Sequence, residues 1–421
     1  MPNVSANMSE DSHKSRTLIL LTALHFFTHL YHVALLPLFL KIQDGFKLSS
    51  IDEATLLLTV LMLAYYAPSY LAGVLADRLN RKMLLALGLA LNGLGFAGLA
   101  WAPTYPLAMA SVILAGLGGC LYHPSGMATI AELFHGKGGR AFGIVGIGGG
   151  LGFFLGPLYT GWRAEMSGDW RTPIMELGLA GMVAALLFYL LAVPLARRAP
   201  EQAEARYSQS IFPSRLMWVV FLIAILSFGL RDFGGNGVST LGSLFLQKVH
   251  EWDLARTGFA LSLIFLAAII SNPLFGHLSD RGDSRVRWIS LTLTIGAVTA
   301  VFIPRVTIGW TIPVFIMHGF FFMACYPMIE ALMMDSVPAT VRGRVVGVYL
   351  TISGGAGTIA HWMCGYWVDN MGNHSSQATA YQGYYVALGG LMLLTLVGVG
   401  CLEWMRRTHK TNQSNALPAN G

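Results

Sequence analysis

The chain has 421 residues, of which 54% are hydrophobic and only 11% charged, with a mean hydropathy of +0.58. Soluble domains carry about a quarter charged residues, so a soluble enzyme is excluded, and a net charge of +6 spread over short loops excludes a nucleic-acid-binding surface. The composition describes an all-α polytopic membrane protein.

Residues 1–16 are polar and read as a cytoplasmic tail. The first apolar run is too long for a removable signal peptide and lacks a small-residue cleavage site, so it stays as a helix. Spans of bilayer length are expected at 17–41, 52–76, 83–101, 105–131, 141–163, 173–196, 215–247, 255–279, 287–304, 308–334, 343–367 and 381–404. The third is short, and the glycines Gly234, Gly235 and Gly237 predict a bend or break in the seventh. The 48 glycines suit close helix contact in a bilayer. Cys120, Cys325, Cys364 and Cys401 all fall inside spans without paired spacing, which gives neither a disulfide framework nor a zinc site.

Twelve spans put both termini and every even-numbered connection on one side of the membrane. Of the 27 lysines and arginines, 19 lie on that side, 7 on the other, and Arg231 sits inside a span. The positive-inside rule therefore makes the termini cytoplasmic, in a plasma (inner) membrane. A polar connection at 197–214 divides the chain into halves at 17–196 and 215–405, with a cytoplasmic tail at 406–421.

The halves repeat. Gly73-Val-Leu-Ala-Asp77-Arg78-Leu-Asn-Arg81-Lys82 after span two is echoed by Gly276-His-Leu-Ser-Asp280-Arg281 after span eight. Tyr122-His123-Pro124 followed by Gly139-Arg140 in the first half matches Cys325-Tyr326-Pro327 followed by Gly343-Arg344 in the second. The same register aligns His25 with Asp232 and His29 with Asn236. Internal repeats of this kind mark secondary transporters, whose sites lie near the midplane between the repeats.

Span one carries His25, His29 and His32 at helical spacing on one face, with Tyr31 beside them. Ionisable groups at this depth are costly and belong to a bundle interior or wet cavity. A histidine titrates near cellular pH, so it can load and release a proton between compartments. Arg231 needs an anionic partner. Asp232 is its neighbour, but adjacent helical residues point about 100° apart, which leaves a carboxylate such as Glu330 or an anionic substrate.

Twelve spans, a central loop and the Gly73-to-Lys82 motif resemble the major facilitator superfamily. The resemblance implies a fold of two six-helix halves with a cavity lined by spans one, four, seven and ten. It implies a cytoplasmic gate formed by Gly73, Asp77, Arg78 and Arg81, with Asp280 and Arg281 as the second-half copy. Gly152, Gly156 and Pro157 in span five resemble the motif of the family's proton-driven exporters. The histidine-bearing first helix and Tyr122-His123-Pro124 look most similar to the fosmidomycin-resistance type of exporter, although the arginine that many exporters carry in span four has no counterpart between Met109 and Gly119.

The expected function is therefore proton-coupled transport of a small, anionic organic solute by alternating access, with export favoured. The chain is expected to work as a monomer in lipid, with the proton gradient as energy source and no cofactor. His29, Tyr31, His32, Tyr122, His123, Arg231, Asn236 and His318 are the candidate solute-binding residues, and His25, Asp232 and Glu330 the candidate proton carriers. The alternative cargo is a metal-chelating carboxylate such as a siderophore, or a free divalent metal. Imidazoles four apart on a helix can share an ion, so His25 and His29, completed by His123, are candidate ligands. No His-Glu-x-x-His, Gly-x-Ser-x-Gly or phosphate-loop motif supports an enzyme or a nucleotide-driven pump.

Overall fold

The computed structural model describes residues 4–134, 138–193, 210–281 and 284–416, and among them there is no strand. In a bilayer every backbone polar group must be satisfied within the protein, and an apolar run long enough to cross does so as a helix. Among the described residues eleven segments have that length and composition: α1 His13–Phe46, α2 Ile51–Arg78, α3 Arg81–Trp101, α4 Tyr105–Leu133, α5 Arg140–Ser167, α6 Arg171–Leu191, α7 Arg215–Val249, α8 Leu254–Ser279, α9 Arg285–Arg305, α10 Ile308–Asp335 and α12 Ala378–His409. The twelfth, α11, consists of Arg342–Tyr349, a π-helical turn Leu350–Gly354 and Gly355–Met371. Most of the expected connection at 197–214 lies outside the described residues.

Three of the irregularities sit at prolines. Proline has no N–H for the carbonyl four residues earlier, and α4 is interrupted at Cys120 and Leu121, just ahead of Pro124. Likewise α2 breaks at Ala67 and Pro68, and α1 passes through a 3₁₀ turn, Leu36–Leu38, around Pro37. The expected break in α7 is absent: it is one helix from Arg215 to Val249. Its glycines serve packing instead. A Cβ on Gly234 would lie 2.6 Å from Met392 of α12, and Gly235 and Gly237 abut Phe322 and Leu388 in the same way.

Helix pairing repeats between the halves. Contacts of α1 with α5, α2 with α4, α3 with α4 and α3 with α6 recur as α7 with α11, α8 with α10, α9 with α10 and α9 with α12. The halves meet along α2–α11 and α5–α8, which exchange under the same repeat.

The contact between halves is strongest at the end of the bundle away from the chain termini. There Asp369 of α11 accepts the backbone N–H groups of Ile51 and Asp52, the first residues of α2, at 3.0 and 2.9 Å. The repeat-related pair is Glu165 of α5, which accepts the N–H of Leu254, first residue of α8, at 3.1 Å. Each carboxylate satisfies orphan donors at a positive helix end. Trp362 Nε1 donates to Asp52 at 3.0 Å, and Ser243 donates to the Leu36 carbonyl at 2.6 Å. Toward the termini the α5–α8 seam runs through Phe153 stacked on Phe265 at 5.1 Å and Gly150 against Ile269. Beyond it Gly143, Gly146 and Gly276 face open space, with nothing within 4 Å of a Cβ built on any of them. The bundle is thus closed at the far end, and this seam is unzipped at the terminal end.

Candidate functional site

Four imidazoles converge in the first half. The four-residue spacing in α1 sets His25 and His29 edge to face, and the break before Pro124 turns His123 of α4 toward them. Their ring centroids lie 4.5 to 5.3 Å apart. His25 Nδ1 lies 2.8 Å from the Val145 carbonyl, and its Nε2 lies 2.9 Å from His29 Nε2. A carbonyl only accepts, so in neutral rings His25 donates from Nδ1 and receives the Nε2–H of His29. That tautomer leaves His29 Nδ1 as a bare lone pair, buried without a hydrogen-bond partner. His32 sits one turn further along, edge-on to Tyr65 at 4.4 Å, and its Nε2 is also unpartnered. Tyr122 stacks on His25 at 5.1 Å while its hydroxyl donates to the Leu21 carbonyl. Gly149 of α5 makes the room: a Cβ there would lie 2.7 Å from His25 and 2.8 Å from His29.

The second half contributes a charged group. Arg231 is fully buried, donates to Asp232 Oδ1 from Nε and Nη2 at 3.0 and 2.8 Å, and donates to the Tyr349 hydroxyl at 2.7 Å. Its guanidinium lies 3.8 Å from the Tyr326 ring centroid. The expectation that neighbours on one helix cannot pair is corrected here, because the long arginine side chain folds back to reach the carboxylate beside it. In this conformation Asp232 meets the charge of Arg231, while the Arg231 Nη1 is buried without a hydrogen-bond partner. Glu330 lies within electrostatic reach of Arg231 and Asp232, has no salt bridge among the described residues, and is exposed. Tyr66 of α2 faces both groups: its ring is 6.3 Å from His32, and it feels the charges of Asp232, Arg231 and Glu330.

Two expected solute contacts turn away from this space. Tyr31 is fully buried against Phe96 and donates to the Leu177 carbonyl of α6 at 2.8 Å. His318 stacks on Phe322 and bonds the Gly296 carbonyl of α9 through Nδ1 at 2.9 Å. Both lie on spans that line the interior, but on the faces packed against neighbouring helices of their own half. Asn236 donates to the Gly357 carbonyl of α11 at 3.1 Å, and His361, the histidine of α11, bonds Thr240 at 2.6 Å.

In the loop after α2, Arg81 is buried, donates to the Ala76 carbonyl at 3.1 Å and pairs with Glu132 of α4 at 2.5 Å. Asp77 is buried near it, Arg78 is exposed, and a Cβ on Gly73 would meet Pro124 only at 4.0 Å, an ordinary contact. The structural counterpart of Arg81 is Arg285, which the aligned stretch ending at Arg281 did not reach. Arg285 bridges Asp280, at 2.6 Å, and Asp335 of α10, as Arg81 joins α2 to Glu132, whereas Arg281 contacts His277 at 2.9 Å. The second loop is one residue longer, which hid this match. In the exporter-type stretch, Gly152 and Gly156 receive the backbone of α1 at Phe26 and Leu30, and the Pro157 carbonyl abuts Gly258 of α8.

Sequence reasoning missed Tyr65, Tyr66, Phe153, Tyr326 and Tyr349, which look like ordinary membrane aromatics until the helices are packed. It also missed Asp369 and Glu165, which cap helix starts in the opposite half.

The description "Major Facilitator Superfamily" matches residues 18–361. Among curated proteins, the multidrug resistance protein MdtG of Proteus mirabilis is 27% identical over 74% of this chain and 78% of that relative. The quinolone resistance protein NorA of Staphylococcus aureus is 26% identical over 54% of this chain and 58% of its own. Among solved structures, a bacterial homologue of the human lysosomal transporter Spinster, inward-facing and occupied, superposes with a TM-score of 0.75 at 16% identity, covering 95% of this chain and 98% of that one. A peptide transporter POT in complex with sulfate gives 0.73 at 14% identity, covering 93% and 95%. At those identities the structures speak for the fold alone. The matched family spans most of the chain and both repeats, and the relatives are transporters rather than enzymes: this protein belongs to the Major Facilitator Superfamily of membrane transporters.

Proposed function

We propose that this transporter exports small amphipathic organic compounds in exchange for protons, by alternating access, with Glu330 and Asp232 as the proton carriers. One observation carries the proposal: the Arg231 charge is met by Asp232, so the exposed carboxylate of Glu330 is the unmatched charge of the set. A proton on Glu330 removes that charge, and a charge inside a bundle is what opposes rocking of the halves through lipid. The Tyr66 ring, within electrostatic reach of Asp232 and Glu330 and 4.9 Å from the Tyr65 ring, suits aromatic cations and zwitterions. In this conformation Asp232 occupies the place at Arg231 that an anionic solute was expected to fill. The excess of lysine and arginine on the terminal side supports cytoplasmic termini in a plasma membrane, so the unzipped end of the α5–α8 seam faces the cytoplasm. Relatives named for drug resistance support the outward direction.

The test is transport in proteoliposomes under an imposed pH gradient, with a fluorescent aromatic cation or a quinolone as probe. Glu330→Gln is expected to abolish pH-driven flux while retaining exchange of labelled for unlabelled solute. Full pH-driven flux in both Glu330→Gln and Asp232→Asn refutes the carboxylate assignment, and flux of organic anions with none of cations returns Arg231 to the binding site.

A further inference from the structure

The carboxylate proposal leaves the histidine cluster of the first half unused, and its geometry has a chemistry of its own. We propose that His25, His29 and His123 form a binding site for a divalent transition metal of the zinc, copper and nickel group, with a fourth position filled by water or an anionic ligand.

The ring nitrogens come from two helices and lie within 4.8 Å of one another. Metal–nitrogen bonds of about 2.0–2.1 Å in a tetrahedron place nitrogens about 3.3 Å apart, between the 2.9 Å of the closest pair here and that 4.8 Å limit. Small side-chain rotations close the set. His32 lies outside the group, as the length of α1 requires, because one ion cannot reach three successive turns.

Two further features match a ligand set. Metal-binding histidines commonly donate their second N–H to a carbonyl that fixes tautomer and orientation, and His25 does this to Val145 at 2.8 Å. Its Nε2 lone pair then points into the cluster. Across from it, His29 Nδ1 is buried without a hydrogen-bond partner, so the proton of a neutral His29 can sit on either ring nitrogen. A neutral His29 can move its proton to that nitrogen and release Nε2 to a metal.

The donors also specify the ion. The titratable groups that act on His29 are His25, His32 and His123, with no carboxylate among them. Three neutral nitrogens favour zinc, copper or nickel over magnesium or calcium, which take oxygen ligands. They leave the dication uncompensated in a low-dielectric setting, so the fourth ligand is anionic when one is present. The site is independent of the Glu330 reading, and each can fail without the other.

The experiment uses the tag-free full chain in nanodiscs, with Co²⁺ as the spectroscopic probe and Zn²⁺ as competitor. One Co²⁺ per chain with the intense visible absorption of tetrahedral cobalt, displaced by one equivalent of Zn²⁺, is the expected result. His29→Gln and His123→Gln should each weaken binding by about 100-fold or more, the upper end of what losing even an outer-shell partner costs. His374→Ala, exposed at the far end, should bind as the wild type does. A weak octahedral cobalt spectrum overturns the proposal, as does unchanged affinity in both glutamine variants. Where those variants do not yield monodisperse protein, the wild-type cobalt spectrum and its zinc competition decide.

Discussion

Asp369→Asn should open the far end of the bundle. The carboxylate spans the two halves and accepts two backbone N–H groups, at 3.0 and 2.9 Å, from the start of α2. Hydrogen bonds to a charged group contribute about 1.5–3 kcal/mol each, and a charge at a helix N-terminus adds about 0.3–1 kcal/mol. Asparagine keeps one acceptor oxygen and loses the charge. The site is only partly buried, so the net loss is about 1–2 kcal/mol, which shifts the equilibrium between closed and open far ends by about 5- to 30-fold. Spin labels at Thr104→Cys and Thr307→Cys, on the exposed far-end turns of the two halves, would read the separation by double electron–electron resonance. The long-distance population should grow by that factor in Asp369→Asn, and Glu165→Gln should act similarly through the repeat-related contact with Leu254. A distance distribution unchanged within twofold in both variants would refute the idea that these carboxylates hold the halves together.

Arg231→Ala leaves Asp232 in a buried setting without its partner, which should cost about 3–5 kcal/mol and lower the thermal midpoint in detergent. Adding Asp232→Asn should recover a large part of that loss, and additive losses in a double-mutant cycle would argue against the pair. Tyr31→Phe removes a buried hydrogen bond to Leu177 and should cost about 1 kcal/mol of stability, with solute affinity unchanged. Weaker solute binding at full stability would put Tyr31 back in the cavity.

The sequence by itself determined the spans, the sidedness expected from charge, and the repeat. These follow from bilayer thickness and backbone satisfaction, which act along the chain and leave a linear record. It also singled out the titratable residues of α1, α4, α7 and α10, because charge inside a membrane is rare enough to be seen in isolation. Tertiary structure decided which of them meet. Helical spacing set His25 beside His29, but only the packing of α4 and the space at Gly149 brought His123 to them. Spacing alone separated Arg231 from Asp232, and a flexible side chain joined them. Tyr31 and His318 carried the right chemistry on the right helices and were turned away by the rotation of each helix about its own axis, a quantity set by neighbours. The carboxylates at Asp369 and Glu165 were invisible for the same reason: their partners are backbone N–H groups more than 80 residues away, and every residue except proline has one of those.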